Sequence, residues 1–176
     1  MLILLALPVL GEVAVLRELY ESARGIKWKR SRGWMEGSSP CGWQGVTCTR
    51  GSVSGIDLRN NSLKGYFPTG LQTLEHLSVL NFNNNTFSGT IPAHLHKHAN
   101  LKSLNLGGNL FTGTVPPELS TLTSLTKLVL GDNWLSGTVP SELGMLSKLT
   151  RLDLHWNKMT GTVVGMLCWL AHLALM

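Results

Sequence analysis

Four groups of residues in this chain have the types and spacing to do chemistry. His94, His96 and His98 alternate along one short segment, and clustered imidazoles suit zinc, copper or nickel. Lys127, Arg151, Asp153, His155 and Trp156 combine charge of both signs with a large aromatic, the mixture enriched at binding hot spots. Arg24, Lys27, Lys29, Arg30 and Arg32 form the one dense basic run and would suit a polyanion. Asp57 and Asp153 supply the carboxylates that paired acid–base work would need. What each group can do depends on the elements that hold it.

At 176 residues the chain suits one domain with a real core, and 43 % apolar with 14 % charged residues excludes disorder by composition. No run reaches the ~18 to 20 apolar residues that a membrane-spanning helix needs, so any membrane attachment would lie in segments outside this chain. The formal charge of +5 is spread along the sequence, and Glu18, Glu21 and Glu36 lie close to the basic run. No basic stripe with a reading element emerges, so the run is expected to be a solvated loop and no nucleic-acid partner is expected.

The elements follow from a repeat. Asn61, Asn85, Asn109, Asn133 and Asn157 stand 24 residues apart, each followed four residues later by Gly65, Gly89, Gly113, Gly137 or Gly161. Pro68, Pro92, Pro116 and Pro140 come three further on, where Val164 breaks the series. Paired apolar residues precede each Asn, as in Leu104 and Leu106, and leucines spaced by three close each unit, as in Leu119, Leu122 and Leu125. The alternation reads as a short strand with one buried face, and the triplet as a 3₁₀-like return. The Asn amides, donor and acceptor at once, are expected to form a buried ladder from rung to rung. One unit cannot hide its own leucines, so the architecture is a solenoid of five stacked units.

The unit LxxLxLxxNxLxGxxP resembles the plant-type extracellular leucine-rich repeat, and Leu101 to Ser124 carries it over its whole length. The resemblance implies an α/β right-handed superhelix with a short parallel sheet on the concave face and an irregular or 3₁₀ convex side. Upstream, Val13, Leu16, Tyr20 and Ala23 make one helical stripe, followed by Trp28, Trp34 and Cys41-Gly-Trp43-Gln-Gly-Val-Thr-Cys48. This region is similar to the N-terminal cap of receptor-like proteins, which implies a Cys41–Cys48 disulfide; a metal there would lack a second ligand pair. Expected domains are residues 1–11 as a signal-peptide remnant, 12–52 as the cap and 53–176 as five repeats cut short at the C-terminus. Leu167, Leu170 and Leu173 fill the closing slots of unit five, Cys168 is left odd, and the chain reads as a piece of a longer protein. The implied cysteine bridge, the sequons at Asn60 and Asn84 and the apolar run Met1–Leu10 together point to a secreted or cell-surface position; that run also reads as an apolar lead-in to the cap helix.

Internal comparison then sorts the candidates. Residues that recur in every unit are structural, while those that vary on the sheet face are free to recognise something. Alternation puts Asn81, Asn83 and Asn105 on that face in the middle rungs, and Lys127, Val129, Arg151, Asp153, His155 with neighbouring Trp156 in the last two. Five rungs at ~4.8 Å spacing span only ~20 Å, the width of a peptide or one edge of a protein. Asp57 and Asp153 are four rungs apart, too far to share one bond. His98 holds a slot filled by Leu74, Leu122, Leu146 and Leu170 elsewhere, so it is expected to be half-buried packing, with no metal or other cofactor. Without a nucleophile elbow, phosphate loop or kinase signature, no catalysis is expected. The resemblance implies a module that recognises a peptide or protein ligand on the concave face, with a co-receptor as a further partner. Similar proteins also include inhibitors of wall-degrading polygalacturonases, and a matrix binder using Arg24–Arg32 is a third reading.

Overall fold

The computed structural model describes residues 6–161 and 174–175. Helix α1 (Ala6–Ser22) opens the chain, and strands β1 (Val46–Thr49) and β2 (Ser52–Asp57) follow as an antiparallel pair. Each later unit contributes two short strands. These are β3 (Lys64–Tyr66), β4 (Val79–Asn81), β5 (Thr86–Thr90), β6 (Ser103–Asn105), β7 (Leu110–Gly113), β8 (Lys127–Val129), β9 (Trp134–Gly137), β10 (Arg151–Asp153), β11 (Lys158–Met159) and β12 (Ala174–Leu175). Between them lie 3₁₀ turns at Thr69–Thr73, Ala93–Lys97, Pro117–Thr121 and Ser141–Met145, each beginning just after a proline.

One sheet runs β1-β2-β4-β6-β8-β10-β12, and from β2 onward every pair is parallel. Its register steps by one full repeat, so Leu80, Leu104, Leu128 and Leu152 lie side by side. The leucines fill the space behind it: Leu71, Leu74, Leu77, Leu95, Leu101, Leu119, Leu122, Leu125, Leu143 and Leu146 are all fully buried. Burying each contributes about 1.5–3 kcal/mol, gained only when a neighbouring rung covers it. The closing triplet Leu167, Leu170 and Leu173, and Cys168, lie outside the described residues.

The repeats contain a second sheet that the irregular convex side implied by the family resemblance did not include, ordered β3-β5-β7-β9-β11. Lys64 pairs with Thr86, Ser88 with Leu110, Thr112 with Trp134 and Ser136 with Lys158, so this register steps by two residues less than the repeat. Successive rungs therefore slide past one another on this side. The hydroxyls of Ser88, Thr112, Ser136 and Thr160 donate to the carbonyls of Gly65, Gly89, Gly113 and Gly137 in the rung before. Those glycines have positive φ, and the side chain of Tyr66, Thr90, Thr114 or Thr138 lies over the glycine of the next rung. A Cβ at Gly89 would sit 2.9 Å from the Tyr66 ring, and one at Gly137 would sit 2.9 Å from Thr114 Cγ2. The recurrent glycine thus meets both a backbone and a packing demand.

The Asn residues link rungs in the same repeating way. Asn109 Oδ1 accepts from Phe87 N at 3.0 Å, and its Nδ2 donates to the carbonyls of Phe82 and Leu106, both at 3.0 Å. Asn133 repeats the pattern, as does Asn157. Asn85 Oδ1 accepts from two amides, those of Asn61 and Leu63. Asn61 turns to the cap instead, accepting from Arg30 N at 2.7 Å and donating to Arg30 O at 3.0 Å.

The cap closes the first rung. Helix α1 begins at Ala6, within the segment expected to be a leader remnant, and runs through Gly11 without a break. Its buried stripe is Val13, Leu16 and Leu19, continued by Ala23 just past its end, with Tyr20 half-buried between Trp28 and Trp34. Leu19, fully buried, takes the place in the stripe that spacing gave to Tyr20, whose ring packs against Trp28 and Trp34. Each buried indole N–H has an acceptor: Trp28 donates to Ala23 O, Trp34 to Gln44 O and Trp43 to Glu36 O. A Cys41–Cys48 disulfide ties the loop before β1. Buried Glu12 accepts from Val53 N with both carboxylate oxygens, binding helix to strand. Burial nevertheless raises its pKa above the usual carboxylate range, more than the Val53 amide and His76 offset.

His98 is buried to 1 % exposure, deeper than the half-buried packing its leucine slot predicted. Its Nδ1 reaches Leu74 O at 3.3 Å, and its Nε2 has no hydrogen-bond partner among the described residues. Desolvation holds its pKa below the ordinary imidazole value. A depressed imidazole pKa means the unfolded chain takes up the proton first, so stability falls as pH drops below about 6.5. His98→Leu is therefore expected to stabilise the fold by about 1 kcal/mol at neutral pH. The gain should be larger at pH 5 than at pH 8, as thermal melts of both forms would register; an equal gain at both would refute the titration argument.

Candidate functional site

The long sheet and the turn after each of its strands carry one set of exposed, non-recurring side chains. In that turn the residue before the ladder Asn has positive φ in every rung: Asn60 (52°), Asn84 (52°), Gly108 (65°), Asp132 (56°) and Trp156 (50°). Asn, Asp and Gly adopt this left-handed backbone readily, whereas a bulky side chain there is strained. Trp156 is the exception, and it is 80 % exposed. A ring packed down over the turn would not be so exposed.

Beside it, four charged groups form a chain. His155 Nδ1 is hydrogen-bonded to Asp153 Oδ1, and its Nε2 lies 3.4 Å from Asp132 Oδ2. Arg151 Nη2 reaches the other Asp153 oxygen at 3.4 Å. The Asp153 hydrogen bond, helped by the negative charge of Asp153 and Asp132, raises the His155 pKa above the ordinary imidazole value. Gly131 makes room for this arrangement. A Cβ there would lie 2.6 Å from Asp153 Oδ1 and 2.7 Å from His155 Nδ1. The T-shaped contact of His155 with Trp156, centroids 5.7 Å apart, joins the charged chain to the exposed ring. Trp134, half-exposed at the start of β9, has Lys158 Nζ 4.5 Å over its ring.

Two expected surface residues are corrected. Val129 is only 7 % exposed, flanked in register by Asn105 and Asp153, and so offers little to a ligand. Asp153 is 4 % exposed with its carboxylate shared by Arg151 and His155, which makes it a positioning group. In the middle rungs Asn81, Asn83 and Asn105 are half-buried, and each spends a polar atom on backbone. Asn81 accepts from Asn83 N, Asn83 donates to Gly107 O, and Asn105 accepts from Gly107 N. Lys127 is half-buried on β8, paired in register with Arg151. Asn60 and Asn84 are exposed on their left-handed turns. Of the three histidines, His96 is exposed and His94 half-buried against Phe67, and among the described residues no three His, Cys, Asp or Glu side chains converge for a metal. The left-handed column escaped sequence reading, although the series Asn60, Asn84, Gly108, Asp132 carried its signal.

Known proteins share this fold. A family model described as leucine rich repeat matches residues 52–111, another matches 124–146, and the leucine rich repeat N-terminal domain matches 12–49. The protein STRUBBELIG-RECEPTOR FAMILY 2 of Arabidopsis thaliana is 38 % identical over 73 residues, which cover 40 % of this chain. The chain spans about a tenth of the length of the curated relatives it matches. The crystal structure of the BIR2 ectodomain from Arabidopsis thaliana aligns with a TM-score of 0.78 at 31 % identity, covering 85 % of this chain and 82 % of that one. The Arabidopsis receptor kinase HAESA, solved with the peptide hormone IDA and the co-receptor SERK1, aligns at 0.74 and 26 % identity over 94 % of this chain and 33 % of that one. With its 24-residue units, its disulfide-tied cap and its overlap with most of the BIR2 ectodomain, the chain belongs to the plant-type extracellular leucine-rich repeat family of receptor-like proteins.

Proposed function

We propose that the chain is the recognition module of a secreted or cell-surface receptor-like protein, binding a peptide or protein without catalysis. The observation that carries this reading is Trp156, a bulky ring held out in water on a left-handed turn beside the His155–Asp153–Arg151 chain. Exposed strain of this kind persists where a surface is shaped for contact. The ring supplies apolar area, the Arg151 guanidinium supplies hydrogen-bond donors for a carboxylate, and the half-buried amides of Asn81, Asn83 and Asn105 offer further polar contact along the sheet. The peptide and co-receptor in the HAESA complex support both partner types for this chain.

The test is to select peptides against the wild-type chain from a random displayed library and measure their affinity for variants. Trp156→Ala and Arg151→Ala should each weaken binding at least tenfold, and His155→Ala severalfold. Gly131→Ala keeps all three side chains but displaces His155, and should weaken binding too. Peptides bound equally well by all four variants would overturn the assignment.

A further inference from the structure

A groove of about 610 Å³ lies away from the long sheet, between helix α1 and the first strands of the second sheet. We propose that it binds an acidic sugar, specifically a uronate-bearing oligosaccharide, independently of the peptide site. Two residues of the first rung depart from the repeat to build it, and a variable position of the third adds Leu110. Tyr66 stands where later rungs have Thr90, Thr114 and Thr138, Lys64 where they have Ser88, Thr112, Ser136 and Thr160, and Leu110 where the second rung has Thr86. The Tyr66 ring rests against Gly89 yet is 75 % exposed, so one face is supported and the other is open. Such a preplaced ring offers a flat apolar platform of the size of a pyranose.

The polar lining defines what must sit there. The hydroxyls of Ser22, Thr86 and Ser88 are already spent as donors, to the carbonyls of Leu19, Leu63 and Gly65. Outward these three present lone pairs that the hydroxyl donors of a ligand fit, while the Tyr66 and Thr69 hydroxyls, which make no hydrogen bond among the described residues, can donate or accept. Arg24 and Lys64 line the same groove with Glu18, two cations against one carboxylate, and none of the three belongs to an ion pair among the described residues. The ligand therefore also brings negative charge. Arg24 itself has left-handed backbone (φ 57°), and Lys27, Lys29 and Arg30 follow it on the exposed loop. Several hydroxyl donors, a carboxylate and an apolar ring face occur together in a uronic acid.

Titration of the purified chain at low salt with an α-1,4-linked galacturonate hexamer, and with its neutral methyl ester, tests this. The acid hexamer should bind at least about tenfold more tightly than the ester. Tyr66→Thr and Lys64→Ser install residues that other rungs already carry, so both should fold, as circular dichroism would verify. The first should weaken the acid hexamer about tenfold and the second severalfold. The combined Arg151→Ala, Trp156→Ala variant should bind it unchanged, which separates this groove from the peptide site. No binding, equal binding of the ester, equal binding of a hexaglutamate peptide, or a Tyr66→Thr variant that binds like wild type would each overturn the proposal.

Discussion

Asn85→Ala is expected to cost the fold about 4 kcal/mol and to lower its Tm by roughly 10 °C, the largest effect of any single ladder substitution. Asn85 Oδ1 accepts from Asn61 N and Leu63 N, both buried. Alanine leaves those two donors without a partner, at about 1–3 kcal/mol each. On the donor side the losses are smaller. The Phe82 carbonyl keeps Asn109 Nδ2, while the Leu58 carbonyl loses the Asn85 amide. Asn109→Ala strands a single amide, that of Phe87, because its acceptors retain Asn85, Asn133 or other donors. It should cost about 3 kcal/mol. Asn157 is only half-buried, and Asn157→Ala should cost about 1 kcal/mol. Thermal melts of the three variants would test the order. Three equal shifts, or a shift at Asn85 below about 3 °C, would show that the amides are not carrying the rung-to-rung bonds.

The parts legible in the sequence are those in which one residue type has one physical job in every rung. Asn at each 24-residue step, leucine at most of the buried slots and glycine four residues after each of those Asn were visible because five copies make the same demand. The second sheet was not legible, since its strands are short and its register slides by two residues per rung, which hides it from a comparison made at the repeat period. Its signal was the alternation around Phe87 and Phe111, whose neighbours Thr86 and Leu110 are exposed. The site was half legible. Arg151 and His155 have the outward parity that alternation gave them, and Trp156 follows on the turn beside them, but Val129 and Asp153 share the same outward parity and are buried. Parity gives the side of the sheet and says nothing of crowding by the adjacent strands. Whether Asp153 faces solvent is decided by His155 and Arg151 closing over it, a contact between residues that no spacing rule specifies.

Trp156→Asn is expected to move stability and binding in opposite directions. At φ 50° a bulky side chain costs about 1–2 kcal/mol that asparagine largely escapes, and Asn60 and Asn84 already occupy the same backbone site at 52°. With the ring 80 % exposed, little apolar burial is lost. The variant should therefore gain about 1 kcal/mol, some 3 °C in Tm. Affinity for a selected peptide should fall about 30-fold, the cost of removing one central aromatic anchor. A structural role for the ring predicts lost stability at unchanged affinity, because a tryptophan that packs would be missed by the fold and not by the ligand. Loss of stability with unchanged affinity would thus overturn the proposed site. Gain of stability with loss of affinity would mark Trp156 as a residue kept at the expense of the backbone it strains.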